Sequence, residues 1–215
     1  MRRNVIVNQA SLKTLITQVM REFEDKPYIK TGVSNRHLHL SAPDLERLFG
    51  AGYTLTPVKE LQPGQYACKE TVRVAGKKGK IENVRILGPL RKATQLELSL
   101  TDTFTLGIDA PVNESGCLDG AATVTLERAG VGASIERACA IVALRHVHLC
   151  PSTAERLGIK DKQFVSLVYG SGARELVFRH VLVRVSPDFE DEIHLDTDEA
   201  NAGGIKNGDL GLIEP

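Results

Sequence analysis

Apolar residues recur at helical spacing near the start of the chain. Between residues 9 and 24 they fall at i, i+3, i+4, i+7 and i+11 counted from Leu12, with polar residues between them. This spacing predicts a short amphipathic helix with Ser11 as its cap. Because the break at 25–27 (DKP) follows, we treat residues 1–26 as a segment of their own.

After Pro27 the pattern changes to short β-branched stretches separated by glycine and proline. Strands are predicted near 71–75, 83–87, 95–100, 122–126, 164–169 and 176–185, and short helices near 42–50 and 151–158. Many short strands with frequent turns favour small barrels or sandwiches over a doubly wound α/β fold.

One block of sequence occurs twice. Residues 36–40 (RHLHL) return as 145–149 (RHVHL), and at the same offset 46–48 (ERL) return as 155–157 (ERL). Each copy is followed by a β-rich stretch. The repeat therefore predicts two related β units, each too small to be comfortable alone.

The repeat divides the chain into a first unit, 27–143, and a second unit, 144–215. A weaker echo joins 97–102 (ELSLTD) to 194–198 (HLDTD), and these two stretches need a one-residue gap to align.

Composition and charge exclude several classes of protein. The 27 lysine and arginine residues equal the 27 aspartate and glutamate residues, so no overall field favours nucleic acid or an anionic membrane surface. The four cysteines form no C-x-x-C pair, which argues against a zinc ribbon, a thioredoxin motif or a disulfide framework. The sequence has no apolar run of the roughly 20 residues that span a membrane and no secretory signal. We expect a soluble protein in a reducing, intracellular setting.

The repeated H-x-H steps carry the candidate chemistry. Side chains alternate between the two faces of a strand, so His37 and His39 share one face. His146 and His148 do the same in the second copy. Two imidazoles on one face suit zinc or another borderline metal. A single H-x-H on a half-exposed strand is ordinary, but two copies inside a repeated block favour metal binding.

Each histidine pair needs further ligands, because two histidines rarely complete a metal site. The weaker echo supplies Glu97, which lies among apolar residues where an unpaired carboxylate is costly to bury. It supplies His194 in the second half. The alternative for Glu97 is a solvent-facing strand residue. His180 has no such placement and is interpreted as a surface or satisfied strand histidine.

Two further residues suit an anionic substrate, although each is also compatible with an ordinary loop. Arg91 precedes the Glu97 strand, and the planar fork of arginine matches phosphate oxygens. Ser115 lies in a glycine-bearing turn that can present a hydroxyl and backbone N–H groups to an anion. Fingerprints for nucleotide hydrolysis, NAD chemistry and serine esterase chemistry are missing.

Five stretches, in order along the chain, carry a resemblance to a known family. They are 32–41 (GVSNRHLHLS), 61–67 (LQPGQYA), 91–102, 145–149 (RHVHL) and 194–202 (HLDTDEANA). In these stretches the chain resembles the PduL-type phosphate propanoyltransferases, which are phosphotransacylases of bacterial microcompartments. The resemblance implies a mainly β fold of two small β-barrels capped by short helices, with a two-zinc active site between them and a homodimer. It also implies that the first strand, about 27–35, joins the second barrel.

The same resemblance implies roles for individual residues. One zinc would be held by His37, His39 and Glu97, where the coenzyme A sulfur can also bind. The other zinc would be held by His146, His148 and His194. Arg91 would orient phosphate with Ser115 close by. The coenzyme A site would be lined by Ser34, Lys59, Arg85, Leu87 and Asn201.

The implied reaction converts propanoyl-CoA or acetyl-CoA and phosphate into acyl phosphate and free coenzyme A. We expect direct transfer, because zinc polarises a thioester carbonyl and binds the departing thiolate. Fixing two substrates in one orientation can supply ~7–11 kcal/mol of the barrier. An acyl-cysteine, for instance at Cys150, would contradict this expectation. We interpret Cys150 as a buried small apolar residue.

The N-terminal helix has two interpretations. It packs on the barrels, or it docks its apolar stripe on a microcompartment shell or a partner enzyme. The break at 25–27 favours docking, and the resemblance implies a place in the bacterial cytoplasm, inside a microcompartment.

Two other functions stay open on the sequence. One is a dinuclear zinc hydrolase, a thioesterase or phosphatase that uses a bridging hydroxide. The other is a non-catalytic binding module stabilised by zinc. The sequence also leaves open the acyl chain, the physiological direction, the type of microcompartment and the metal bound in the cell.

Overall fold

The computed structural model describes residues 26–128, 130–170 and 173–214, together with Leu12, Lys13 and Ile16. From residue 26 onward, the described chain forms fourteen strands and four short helices. The helix predicted over 9–24 falls almost entirely outside the described residues. Nowhere in the described chain is a helix long and apolar enough to cross a lipid bilayer.

The first half contains nine strands and two helices. They are β1 (Tyr28–Ser34), β2 (His37–Ser41), α1 (Ala42–Phe49), β3 (Pro57–Gln62), β4 (Gln65–Ala75), β5 (Lys80–Arg91), β6 (Gln95–Leu98), α2 (Leu100–Leu106), β7 (Val112–Asn113), β8 (Ala122–Glu127) and β9 (Ser134–Ala143).

The second half contains five strands and two helices. They are β10 (His146–Leu149), α3 (Pro151–Leu157), β11 (Phe164–Tyr169), β12 (Leu176–Val185), β13 (Glu192–Asp196), α4 (Thr197–Gly203) and β14 (Leu210–Glu214). The mainly β fold predicted from the short strands is confirmed, and the two predicted helices are α1 and α3.

Six strands close the first barrel. In the order β4, β5, β2, β6, β9 and β8 each pairs with the next, and β8 pairs with β4 to complete the ring. Strands β3 and β7 extend the sheet beside β4 and β9. Leu38, Leu40 and Ile86 are among the fully buried side chains of its core. These leucines lie on the strand face opposite the histidines, as the period of two requires.

Six other strands close the second barrel in the order β1, β13, β10, β12, β11 and β14. The two rings match strand by strand. In each, the H-x-H strand pairs in parallel with one neighbour (β5 or β12) and antiparallel with the other (β6 or β13). Val147, Leu149 and Leu167 are fully buried in this core. The prediction of two small barrels related by duplication is confirmed.

The two barrels exchange their first strands. β1 leads into β2 of the first barrel but pairs with β13 and β14 of the second. β9 leads into β10 of the second barrel but pairs with β6 and β8 of the first. Gly32 lies opposite His194, and Ile141 lies opposite Glu97 at the matching place. The repeats therefore begin at β1 and β9, and each repeat supplies a strand that the other needs for closure. The division at 143 and 144 separates the strands of the two barrels apart from β1, and it does not coincide with the start of a repeat.

The repeated arginine before each H-x-H fastens the helix that follows the third ligand strand. Arg36 forms an ion pair of 2.7 Å with Asp102 in α2. Arg145 forms one of 2.8 Å with Glu199 in α4. The arginine thus recurs in the sequence block because each copy holds a helix against its own barrel.

Capping boxes align the two helices without a gap. Ser99 caps α2 and Asp196 caps α4, and in both the third helical residue returns a hydrogen bond to the cap. Glu97 and His194 each lie two residues before their cap. The expected one-residue gap between 97–102 and 194–198 is therefore wrong. The alignment of the two stretches is set by their N-caps. It is not set by the identical Thr-Asp pair that a gap would align.

Candidate active site

His37, His39 and Glu97 form a group that could hold a metal ion, and we call it the first metal group. Strand β2 presents both histidines on one face, and β6 places Glu97 directly opposite His37. His37 Nε2 lies 3.4 Å from Glu97 Oε2, and His39 Nε2 lies 4.0 Å from Glu97 Oε1. One donor atom from each residue lies within 4.8 Å of the others. Three converging N and O donors on a rigid barrel wall are the arrangement that a zinc site requires.

The second metal group consists of His146, His148 and His194. The first two lie on β10, and β13 places His194 directly opposite His146. One donor atom from each lies within 4.8 Å of the others. The rings of His146 and His194 stack at a centroid distance of 4.8 Å, and Phe189 stacks on His148 at 3.9 Å. The structure therefore brings the six predicted ligands together in the two expected sets.

A backbone carbonyl orients the first histidine of each pair. Nδ1 of His37 lies 2.9 Å from the carbonyl oxygen of Asn35, and Nδ1 of His146 lies 2.9 Å from that of Leu144. A carbonyl can only accept, so Nδ1 carries a proton, and in the neutral ring Nε2 keeps its lone pair. This is how metal-binding histidines are usually held.

Buried nitrogens without partners support metal binding. Both ring nitrogens of His148 are buried and have no hydrogen-bond partner in the described chain. Nδ1 of His39 and Nε2 of His194 also lack one there, although Glu192 Oε2 lies 3.4 Å from the latter atom. Leaving such atoms unpaired is costly, and native structures rarely do so. A metal ion at each group would satisfy a lone pair on these rings, so the residues present fit the ions.

Protonation favours the same conclusion. Burial lowers the pKa of His39 and His146 to about 3, of His148 to about 2 and of His194 to about 4. These four rings are neutral near pH 7, which is the form that binds a metal.

The first metal group also carries a charge. Burial raises the pKa of Glu97, but the neighbouring His37 and His39 outweigh burial and hold that pKa well below its ordinary value. Burial lowers the pKa of His37, but Glu97 outweighs burial and the net shift is upward. The carboxylate is therefore ionised and gives this group an anionic donor.

Arg91 and Ser115 join the first metal group through hydrogen bonds. Arg91 Nη1 donates to Ser115 Oγ at 3.0 Å, and Ser115 Oγ donates to Glu97 Oε1 at 2.7 Å. Burial lowers the pKa of Arg91, Glu97 opposes this effect, and Arg184 adds to it. The two residues expected to serve an anion therefore lie beside a metal group, and the Arg91 side chain is 30% exposed.

Gln95 is a site residue that the sequence reasoning missed. Its Nε2 donates to Glu97 Oε1 at 2.7 Å and to Ser115 Oγ at 2.9 Å, and its Oε1 accepts from the backbone N–H of Gly116 at 2.8 Å. This buried amide ties the serine turn to the metal group. Its spacing of two residues from Glu97 on one strand was the available signal.

A cleft of about 440 Å³ between the barrels is lined by both metal groups, Arg91 and Ser115. Four of the residues expected at the coenzyme A site also line it, namely Ser34, Lys59, Arg85 and Leu87. Asn201 does not line the cleft, because it lies exposed on α4. Asn207 lines the cleft and accepts a hydrogen bond of 3.1 Å from the backbone N–H of Val33.

Two other expectations concern residues outside the cleft. His180 is exposed and stacks on Phe164 at 3.9 Å, which confirms its interpretation as a surface strand histidine. Cys150 was expected to be buried, and this is wrong. It is partly exposed because it is the N-cap of α3, at the end of β10.

Known proteins are similar in sequence to this chain over most of its length. A family model described as phosphate propanoyltransferase matches residues 30–206. The chain is 52% identical over 199 residues to the phosphate propanoyltransferase of Thermotoga maritima, covering 92% of this chain and 94% of the relative. It is 49% identical over 184 residues to that of Sebaldella termitidis, covering 84% and 85%. It is 45% identical over 206 residues to that of Rhodobacter capsulatus, covering 95% of each. The chain belongs to the phosphate propanoyltransferase family.

Proposed function

We propose that this enzyme transfers a propanoyl group between coenzyme A and phosphate with the help of two metal ions, one at each metal group. Zinc suits the imidazole and carboxylate donors best. The observation that carries the proposal is the convergence of both groups on one cleft, next to the hydrogen-bonded Arg91 and Ser115.

Three protein donors in each group support catalysis rather than a structural role. Structural zinc sites are closed by four protein ligands, whereas catalytic sites keep a position open. When bound, the metal ions would polarise the thioester carbonyl and stabilise the departing thiolate. This chemistry fits a reaction in which a C–S bond breaks and a C–O bond to phosphate forms.

The protein residues around the metal groups orient phosphate. The Arg91 guanidinium presents a planar set of donors to phosphate oxygens. Ser115 shares a hydrogen bond with Arg91 and so fixes its direction. Gln95 holds the turn that contains Ser115, because its Oε1 accepts a hydrogen bond from the backbone N–H of Gly116. Orientation of this kind lowers the barrier of a reaction between two bound substrates.

The transfer is direct in this proposal. Among the described residues Cys150 does not line the cleft, so the side chain weighed as an acyl carrier is not placed to receive the acyl group. Ser34, Lys59, Arg85 and Leu87 lie along the same cleft and are proposed to bind coenzyme A. We leave Asn201 out of that set. Acetyl-CoA is proposed as a second substrate, since it differs by a single methylene.

Assembly and location are proposed on the resemblance alone. We propose a homodimer that lies inside a bacterial microcompartment. The predicted helix at 9–24 would dock there against a shell or cargo protein.

The test measures thiol release from propanoyl-CoA and acetyl-CoA, with and without phosphate, before and after chelation. His194→Ala is compared with His180→Ala, which makes the same change outside the cleft, and bound metal is counted in both. We expect release that requires phosphate and metal, with His194→Ala alone losing activity and one metal equivalent. Release without phosphate would indicate a hydrolase. No release from metal-loaded protein would indicate a binding module.

A further inference from the structure

Arg184 lies at the second metal group, in a position that neither the motifs nor the mechanism above assigns. It stands directly opposite His148 on the parallel strand β12. Directly paired residues point to the same face of a sheet, so its side chain leaves the barrel wall on the metal side. It lines the cleft together with Arg91. Its positive charge acts on Arg91 and on all three histidines of the second metal group.

The side chain of Arg184 is held at Nε, but its two Nη groups are free in the described chain. Its Nε lies 3.5 Å from Glu114 Oε1, and its guanidinium lies 5.6 Å from the centroid of the Phe189 ring. Lys162 also forms an ion pair with Glu114. Across the described ranges its two Nη groups donate to no protein acceptor, and the side chain is 26% exposed. A guanidinium fixed at Nε, with both Nη groups open to a cleft, is arranged to bind an anion in two-pronged fashion.

The position is occupied differently in the two repeats. Leu87 lies opposite His39 in the first repeat, in the same relation that places Arg184 opposite His148 in the second. The third ligands also differ, since the first group has the carboxylate of Glu97 and the second has the imidazole of His194. The first metal group thus combines an apolar neighbour with a carboxylate ligand. The second combines a cationic neighbour with three imidazole ligands, and the carboxylate of Glu192 lies 3.4 Å from His194 Nε2.

This asymmetry gives the cleft two chemically different ends. An anion gains at the second metal group from a free guanidinium beside a donor set of imidazoles only, while the Glu192 carboxylate near His194 accepts a hydrogen bond from Gln62. The apolar arm of a thioester gains more beside Leu87.

We propose that Arg184 is a second anion-binding arginine, which binds the phosphate group of the substrate together with Arg91 at the second metal group. Glu114 is the positioning residue, because it holds Arg184 through Nε and adjoins Ser115, which holds Arg91. The inference rests on the proposed function and deepens it by naming where phosphate binds.

The test compares Arg184→Gln, Arg184→Lys and Glu114→Gln with Arg179→Gln. Arg179 is exposed on the same strand, so this control makes the same change in charge outside the cleft. Binding of inorganic phosphate to the metal-loaded protein is measured by titration calorimetry without any acyl-CoA. KM values for phosphate and for propanoyl-CoA and the metal content are measured alongside.

For Arg184→Gln we expect phosphate affinity to fall about 10- to 100-fold, the usual cost of losing hydrogen bonds to a charged group. Metal content and the KM for propanoyl-CoA stay as in the wild type. Arg184→Lys recovers part of the affinity, because lysine keeps the charge but not the planar fork. Glu114→Gln gives a smaller loss, and Arg179→Gln gives none.

Unchanged phosphate affinity in Arg184→Gln would overturn the proposal, and so would a rise in KM confined to propanoyl-CoA. If Arg184→Gln does not fold, Arg184→Lys carries the test, and wild-type phosphate affinity in that variant overturns it. Failure of the proposed function gives a different result. In that case the wild type itself neither binds phosphate nor releases coenzyme A in its presence.

Discussion

In the first repeat the buried carboxylate of Asp44 accepts hydrogen bonds from Thr94 at 2.6 Å and from Arg137. In the second repeat the roles of the two partners are reversed, and Thr153 donates to Asp191 at 2.5 Å. Thr94 and Asp191 each precede the strand that carries the third ligand. Each also accepts a hydrogen bond from the backbone N–H of a helix N-cap, Ser41 or Cys150. A hydroxyl and a carboxylate have changed places while the contact itself is kept, so both copies retain a hydrogen-bonded pair, buried in the first repeat and partly buried in the second.

Asp44 makes the stability of the fold depend on pH in the acid range. Burial raises its pKa, but hydrogen bonds from Arg137 and Thr94 outweigh burial and lower it below the ordinary 3.8. A carboxyl whose folded pKa is depressed stabilises the fold above its unfolded pKa, and this stability is lost as pH falls through the folded value. We therefore expect Asp44→Asn to lower the urea midpoint at neutral pH and to flatten its decline below about pH 3.8.

The measurement uses chelated protein, so that loss of metal in acid does not contribute. Asp109→Asn, at an exposed aspartate, is the control and should leave the decline unchanged. An equally steep decline in Asp44→Asn would show that other carboxyl groups cause the acid loss.

Gln95→Met tests the amide under the serine turn. The substitution keeps the volume but removes two donors and one acceptor from the network of Glu97, Ser115 and Gly116. Because one of these bonds is to a charged group, we expect kcat/KM to fall about 10- to 100-fold with metal content unchanged. Gln163→Met, outside the cleft, serves as the control. Wild-type kcat/KM in Gln95→Met would show that the turn containing Ser115 keeps its geometry without this amide.

The predictable part of the site follows from residue type and spacing. The H-x-H steps share a strand face by the period of two, and Glu97 is conspicuous as a carboxylate among apolar residues. For Gln95 the only signal was its spacing of two residues from Glu97, and Arg184 has no such signal. Their roles depend on which strand lies beside them, and strand pairing is long-range information.

The first helix of each repeat begins at a different kind of cap. Ser41 caps α1 and accepts from the N–H of Asp44 at 3.4 Å. Cys150 occupies the same position in α3 and makes no side-chain cap hydrogen bond. The thiol therefore makes no cap hydrogen bond of the kind that the hydroxyl makes at the matched position.

Cys150→Ser should stabilise the protein. We expect the free energy of unfolding to rise by about 0.5–1 kcal/mol, the ordinary value of a serine cap. Urea unfolding of the metal-loaded enzyme measures it, and Ser41→Cys provides the reverse change at the matched position. Activity should stay at the wild-type level, since the cleft lining among described residues does not include Cys150. A variant that lost activity would contradict direct transfer.

Most individual elements were accessible from the sequence, but their partners were not. Strands β11 and β12 match the β-branched stretches at 164–169 and 176–185. The helices α2 and α4 were not separately predicted, because seven-residue helices set by capping boxes show little apolar periodicity. The exchange of β1 and β9 involves pairings remote in sequence, and local pattern carries no record of them. For β1, only the resemblance to a family indicated its barrel.

At the scale of the whole molecule, the exchange binds the two barrels into one folding unit. Removing β1 from the N-terminus would open the second barrel, because β13 and β14 would lose their shared partner. Ile29, which is buried in the second core, would be lost with it. Polar contacts also cross between the barrels, for example from Gln62 to Glu192 at 2.7 Å.

Two truncations test this dependence. A chain that starts at Lys26 keeps β1 and should stay soluble and active, as expected if residues 9–24 are a docking peptide. A chain that starts at Asn35 should aggregate or bind a hydrophobic dye, because two strand edges become unpaired. Soluble yield, dye binding and phosphate-dependent thiol release distinguish them. Full activity of the Asn35 chain as a monomer would refute the dependence. Loss of activity from the Lys26 chain would instead favour a helix that packs on the barrels.

The exchanged strand also orders events during synthesis. Among the described strands β1 leaves the ribosome first, yet its partners β13 and β14 are made last. The first barrel can close once β9 has emerged. The second then waits for the C-terminal third of the chain, on the order of several seconds at roughly 5–20 residues per second. Throughout that interval β1 is a nascent strand with open edges beside a finished barrel. Until then β1 can pair with strands of neighbouring nascent chains. Such pairing between chains is favoured most on crowded polysomes.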